Sequence, residues 1–161
     1  MGPLIDKRAL VRLLRDELAA EIAALTAIAL TARDAATHEE ARPENDKDTR
    51  SVEAAYLAGA QAERVHDLER ASVALERMEL RAFATGEPVA LSAIVGVAGV
   101  KSRYFLAPHG GGRRARLGGV DVLVITAESP IGAALIGFGV GEEVEVEAAA
   151  GARRYEITSV E

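Results

Sequence analysis

The chain contains no cysteine, which excludes disulfides and thiolate metal sites and fits a reducing compartment. Aromatics are scarce, 4% of residues against a hydrophobic fraction of 49%. Alanine supplies much of that fraction, and at roughly 25 cal/mol per Å² of apolar area an alanine contributes little on burial. A broad bundle core needs larger side chains; a narrow seam between two helices does not. Long apolar runs are missing as well: no stretch approaches the roughly 20 residues that span a bilayer, and the first residues lack a signal-peptide core. A cytoplasmic protein with no membrane contact is expected. Nor is there a basic surplus. A formal net charge of −6 argues against a non-specific nucleic-acid binder, though not against action on a nucleic-acid machine through a protein contact.

What is present begins with a helical segment from Asp6 to about Glu40, free of internal Gly and Pro and opened by an Asp suited to N-capping. Val11, Leu14, Leu18, Leu25, Ile28, Ala32 and Ala35 follow a heptad a/d track, with Glu21 as its defect and Ile22 beside it. Pro43 ends this helix, because its ring removes an N–H and biases Arg42 away from helical backbone. A second helix is expected from about Thr49 to Phe83, with Leu57, Gln61, Leu68, Ala71, Leu75, Met78 and Ala82 on one track and Arg64 as a polar interruption. Thr85-Gly86-Glu87-Pro88 is its expected stop. Two helices of about 35 residues, about 50 Å each, joined by a short turn, suit an antiparallel hairpin. The turn, Ala41 to Thr49, is acidic. The alternative, two helices of a larger bundle, has no third long helix in this chain and would require self-association.

Beyond Pro88 the pattern turns to strand. Strands are expected in Val89–Val97, Arg103–Ala107, Val120–Thr126, Glu143–Ala148 and Tyr155–Val160, with a short helix at Ile131–Ile136. His109 to Arg114 and Ala150 to Arg153 read as turns. The expected fold class is α+β: an N-terminal antiparallel coiled-coil hairpin over 1–84 with its tip at 41–49, then a small antiparallel sheet domain with a short helix over 88–161.

Ser129-Pro130-Ile131-Gly132-Ala133-Ala134-Leu135-Ile136-Gly137, then Val140-Gly141-Glu142-Glu143-Val144 and the ending from Tyr155 to Glu161, resemble the C-terminal domain of the Gre transcript-cleavage factors. In that family a Ser-Pro-Ile-(Ala/Gly)-x-Ala-Leu-(Ile/Leu)-Gly motif opens a short helix. The order of a helical hairpin and then an FKBP-like domain resembles the family over nearly the whole chain.

The resemblance implies an accessory factor and not an enzyme in itself. Its C-terminal domain would bind bacterial RNA polymerase at the rim of the secondary channel, with Ser129, Pro130, Ile131 and Gly132 as polymerase-binding residues. The hairpin would enter the channel and lend the tip carboxylates Glu44, Asp46 and Asp48 to cleavage of backtracked RNA. Arg42, Lys47 and Arg50 would steer the nascent RNA 3′ end. No cofactor of its own is implied, only the Mg²⁺ of the polymerase active site, and the free protein is expected to be a monomer. Hard Mg²⁺ prefers oxygen ligands, and two-metal hydrolysis stabilises both attacking and leaving oxygens.

The tip departs from the family. Its Asp-Leu-x-Glu-Asn-Ala-Glu-Tyr signature is absent, and aligning Val65 to Glu69 with the family's second helix puts Glu44 near the first acidic position and Lys47 and Asp48 near the second. Non-cleaving relatives share the architecture, among them inhibitory Gre homologues and the nucleoside diphosphate kinase regulator. By residue type alone, the same carboxylates read as a solvated, helix-capping turn.

Other candidates carry less. Arg113, Arg114 and Arg116 sit in a Gly-rich stretch that reads as a solvated turn or as a phosphate or polymerase patch. His38, His66 and His109 are too far apart in sequence to suggest a metal site, and Tyr104, Phe105, Phe138 and Tyr155 are too few to suggest a prolyl isomerase pocket.

Overall fold

The computed structural model describes residues 4–38, 49–148 and 151–161, with side chains described for 4–34, 52–147 and 151–161. Element order is α1 (Lys7–His38), α2 (Thr49–Arg77), β1 (Ile94–Val97), β2 (Arg103–Leu106), β3 (Arg114–Leu117), β4 (Val120–Ile125), α3 (Pro130–Leu135), β5 (Glu143–Ala148) and β6 (Gly151–Val160). The chain forms two units: Met1–Arg15 with Val73–Glu161, and Asp16–Ser72.

Asp6 caps α1 as its sequence suggests. Its Oδ1 accepts from the backbone N–H of Arg8 at 2.9 Å and of Ala9 at 3.1 Å, satisfying two orphan donors of the first turn. Arg15 pairs with Glu76 at 3.3 Å and Glu21 with Arg64 at 3.0 Å. Partner numbers fall along α2 as they rise along α1, which is the register of an antiparallel hairpin. The supposed seam defect Glu21 and the polar interruption Arg64 are thus each other's partners.

The heptad tracks hold in part. Val11, Leu14, Leu18, Leu68, Ala71 and Leu75 are buried, as is Leu10, which was on neither track, whereas Ile28 is 55% and Leu57 60% exposed. Alanine-rich helix provides too little apolar area to cover them. Helix α2 also stops at Arg77, short of the expected Phe83. The next residues have other backbone commitments: the Arg81 N–H donates to Ser92 Oγ at 2.9 Å, and the Arg81 carbonyl accepts from Lys7 Nζ at 2.6 Å.

The larger unit is built on a six-stranded sheet of order β3-β4-β2-β1-β6-β5. Every neighbouring pair is antiparallel except β2 and β4, which run parallel from Arg103↔Val122 to Leu106↔Ile125. The exception arises because the chain leaving β2 passes to the sheet edge, forms β3 there, and returns through the Gly118-Gly119 turn to lay β4 against β2. Both glycines have positive φ, 58° and 82°, as a two-residue hairpin turn of this hand requires.

Strand β3 corrects the sequence reading. Arg114 and Arg116 do not lie in a turn but on an edge strand, with Ala115 buried between them. The strand expected from Val89 is shorter, beginning at Ile94. Residues 90–93 form a turn instead, with the Ala93 N–H donating to the Ala90 carbonyl and buried Ser92 at φ 70°. Gly151 to Arg153 belong to β6, paired from Gly151↔Ala148, and are not a turn.

Alternation divides the sheet. Val95, Val97, Tyr104, Leu106, Ile125 and Ile157 form one core with Leu135 of α3, and α3 packs on β5. By register, Ile94, Phe105, Val122 and Val124 point to the other face and are also buried. A fully buried aliphatic or aromatic side chain contributes roughly 1.5–3 kcal/mol, so this two-faced sheet supplies most of the larger unit's cohesion.

Candidate functional site

The segment after β4 is shaped by one hydroxyl. Ser129 is the N-cap of α3, in extended backbone at φ −71° and ψ 145°, and Pro130 takes the first-turn position where a missing N–H costs nothing. Ser129 Oγ accepts from the Gly132 N–H at 3.2 Å and donates to the Thr126 carbonyl at 2.7 Å. Gly132 is buried, and a Cβ there would lie 1.9 Å from the Thr126 carbonyl oxygen. Helix α3 therefore sits against the β4 exit at a distance only glycine permits.

Of the four residues assigned to polymerase contact, Pro130 is exposed, Ser129 half-buried, Ile131 packed against the core and Gly132 buried. Ser129 and Gly132 set the position of α3; Pro130 is on its surface.

The segment that follows α3 supplies an exposed apolar surface to which the sequence reading assigned no contact role. Ile136, Phe138 and Val140 are 39%, 40% and 52% exposed. They ride on a loop tied at both ends. The Gly137 N–H donates to the Val89 carbonyl, the Val89 N–H to the Phe138 carbonyl, and the Gly141 N–H to the Ile157 carbonyl. The Gly139 N–H also donates to the Glu142 carboxylate. Gly137 and Gly141, at φ 86° and 87°, make the two bends. Exposed Glu128, Glu142, Glu143, Glu145 and Glu147 lie in the flanking sequence, Glu145 paired with Arg154 at 3.1 Å. The available signal was the alternation of glycine with large apolar residues from Gly137 to Gly141, where ordinary turn chemistry favours polar ones.

The tip assignments Arg42, Glu44, Asp46, Lys47 and Asp48 lie outside the described residues. Arg50 falls in the first turn of α2, and its side chain is likewise outside them. Among the described residues no group of acidic or histidine side chains forms a metal cluster. His66 pairs locally with Glu69 at 3.2 Å, while His109 is exposed on a turn.

The aromatic residues are dispersed. Tyr104 belongs to the core with Tyr155 packed against it, Phe105 points to the opposite sheet face, and Phe138 is on the surface. Burial pushes the Tyr104 hydroxyl pKa up, Tyr155 adds to the rise, and Arg114 opposes it. Arg114 and Arg116, with Ser102 and Asp121, line a shallow cleft at the β3 edge, where Arg116 pairs loosely with Asp121 at 3.7 Å. No helix among the described residues is long and apolar enough to cross a membrane.

Residues 119–161 match the family model described as transcription elongation factor, GreA/GreB, C-term. That segment runs from the β3–β4 turn through α3, the apolar loop, β5 and β6. No curated protein matches the chain. Among solved structures, the GreA factor homolog 1 (Gfh1) protein of Thermus thermophilus is 16% identical, covering 91% of this chain and 94% of that chain at a TM-score of 0.35. Gfh1 of Thermus aquaticus is 18% identical, covering 90% and 92% at 0.36. A prokaryotic transcription elongation factor GreA/GreB from Nitrosomonas europaea is 20% identical, covering 71% and 94% at 0.31. At these scores the structural likenesses carry no argument of their own.

Proposed function

We infer that this chain, whose residues 119–161 match the GreA/GreB transcription elongation factor C-terminal model, is a Gre-type factor that works on bacterial RNA polymerase. The observation that carries this reading is the family match itself, which spans the capped helix α3 and the hydrogen-bonded loop after it. In this reading the exposed surface from Pro130 to Val140 meets the polymerase at the rim of the secondary channel. Phe138 and Val140 supply the apolar centre, and the exposed glutamates flanking them in sequence, Glu128, Glu142 and Glu143, favour basic groups on the partner.

The helical hairpin then serves as the element that enters the channel. The sequence between α1 and α2 would bring Glu44, Asp46 and Asp48 toward the polymerase active site, where carboxylates suit the Mg²⁺ that belongs to the polymerase. Their role is to supply oxygen ligands and orient water, while Arg42, Lys47 and Arg50 meet RNA phosphate. The factor has no chemistry alone. It promotes the polymerase's own cleavage of backtracked RNA.

A second reading has a specific feature in its favour. Lys47 stands between Asp46 and Asp48, and a cation there competes with Mg²⁺ for the same oxygens. In that case the factor occupies the channel and modulates synthesis without cleavage.

Titrating labelled chain with bacterial RNA polymerase core enzyme tests what the two readings share. Both require saturable binding that is lost when a known secondary-channel ligand is present in excess. Absence of binding removes both. Binding with slowed synthesis and unchanged RNA length selects the second.

A further inference from the structure

Strand β3 ends the sheet, so one of its long edges meets no neighbouring strand. The Val124 N–H donates to the Arg113 carbonyl at 2.8 Å, and the Gly118-Gly119 turn closes on Leu117 and Val120, which pair. Inward bonding therefore falls on the odd-numbered residues, and Arg114 and Arg116 turn their N–H and C=O groups away from β4. Those groups have no other backbone partner among the described residues. Both side chains are exposed. Arg114 makes no ion pair among the described residues, and Arg116, 72% exposed, reaches Asp121 only at 3.7 Å.

Charge alone serves to blunt a free edge. This edge also has a recess on each side of the strand. Register sets Arg114 opposite Leu123 and Arg116 opposite Asp121, on the face that carries Tyr104, where with Ser102 they border a cleft of about 360 Å³. Ala115 and Leu117 point to the other face. There Leu117 lines an apolar notch of about 270 Å³ with Leu4, Ile5, Ala9 and Val120.

We propose that the β3 edge binds an extended segment of a partner protein, which joins the sheet as an antiparallel strand with alternating apolar and acidic side chains. Acidic residues opposite Arg114 and Arg116 exchange both backbone bonds with the arginine they face, and their carboxylates stand on the same side as the guanidiniums. The residue between them meets Ala115. The residue before them, opposite Leu117, turns its apolar side chain toward the notch. From its N-terminus the segment reads apolar-acidic-apolar-acidic.

A second copy of this chain fits less well. Antiparallel pairing of β3 with β3 sets arginine against arginine. Strand β5 offers Glu143, Glu145 and Glu147, but its Val144 and Val146 are buried in its own core, leaving nothing for the notch. The β3 edge is at the opposite end of the sheet from β5, on which α3 packs, so it is separate from the surface from Pro130 to Val140 and independent of the polymerase reading.

The test titrates a fluorescent peptide, Leu-Glu-Val-Glu between Gly-Ser spacers, with the full chain and follows its anisotropy. Saturable binding is expected, weakened about tenfold by Arg114→Glu combined with Arg116→Glu and changed little by Arg153→Glu on β6. N-methylation of the two glutamates, whose N–H groups face β3, should abolish binding, whereas N-methylation of the leucine and valine should not. No saturable binding to the parent chain overturns the proposal. So do equal losses from both methylation patterns, which would reduce the contact to charge, and self-association of the chain through these arginines, read by sedimentation, that leaves the peptide unbound.

Discussion

The Cβ that any other residue would bring to position 132 falls 1.9 Å from the carbonyl oxygen of Thr126, because the Ser129 cap pulls the start of α3 onto the end of β4. The obstructing atom is backbone and cannot swing aside. Gly132→Ala is therefore expected to displace α3 and destabilise the chain by about 2 kcal/mol or more. Ser129→Ala loses only the cap, at about 1 kcal/mol. Chemical denaturation of the two variants against the parent checks both the values and their order.

The hairpin's burial pattern makes a second expectation. Leu14 and Leu75 are fully buried, while Ile28 is 55% exposed. Truncating Leu14 or Leu75 to Ala should cost about 2–5 kcal/mol. Ile28→Ala should change stability by less than about 1 kcal/mol, since helix propensity rises and little packing is lost. A comparable loss at all three positions would mean that the heptad seam is uniformly packed.

Much of this was legible in the residues, and the failures have physical causes. The Asp6 and Ser129 caps and Pro130 at the head of α3 are local devices, settled within a turn of chain. The early stop of α2 is not local. Met78 to Phe83 are acceptable helix formers, but the Arg81 backbone is engaged by Ser92 and Lys7, which are distant in sequence. Strand β3 escaped because Arg114-Ala115-Arg116-Leu117 buries one small residue and adjoins glycines, as an edge strand can. The heptad repeat marked buried positions correctly at Val11, Leu14, Leu18, Leu68, Ala71 and Leu75 and failed at Ile28 and Leu57, which stay exposed on alanine-rich helix. Pro130 was picked out by its motif, whereas Phe138 and Val140 became candidates only once their exposure was known.

Lys7 gives a pH dependence whose sign is fixed. Its pKa is about 8 in the folded chain against an ordinary 10.5, so between those values the unfolded chain holds more protons. Stability attributable to Lys7 therefore rises with pH across that window, and the penalty of its buried charge is fully present below it. From neutral to alkaline pH, the parent's denaturant midpoint should rise relative to that of a Lys7→Met variant. A difference that stays constant with pH would contradict the assignment.

Phe138 is the side chain expected to matter most for docking. It is 40% exposed on a loop fixed at both ends, so Phe138→Ala should leave the fold intact and weaken polymerase binding by about 1–2 kcal/mol, roughly tenfold in Kd. Circular dichroism and a binding titration on the same sample separate the two effects. An unchanged Kd would move the contact surface elsewhere.

The carboxylates Glu44, Asp46 and Asp48 are tested most directly by RNA length in a stalled, backtracked bacterial elongation complex. The chain is expected to shorten the RNA in a Mg²⁺-dependent reaction, and a Glu44→Ala, Asp46→Ala, Asp48→Ala triple variant to bind the polymerase equally well without shortening it. RNA left at full length by the parent chain, or cleaved just as fast with the triple variant, would contradict that expectation.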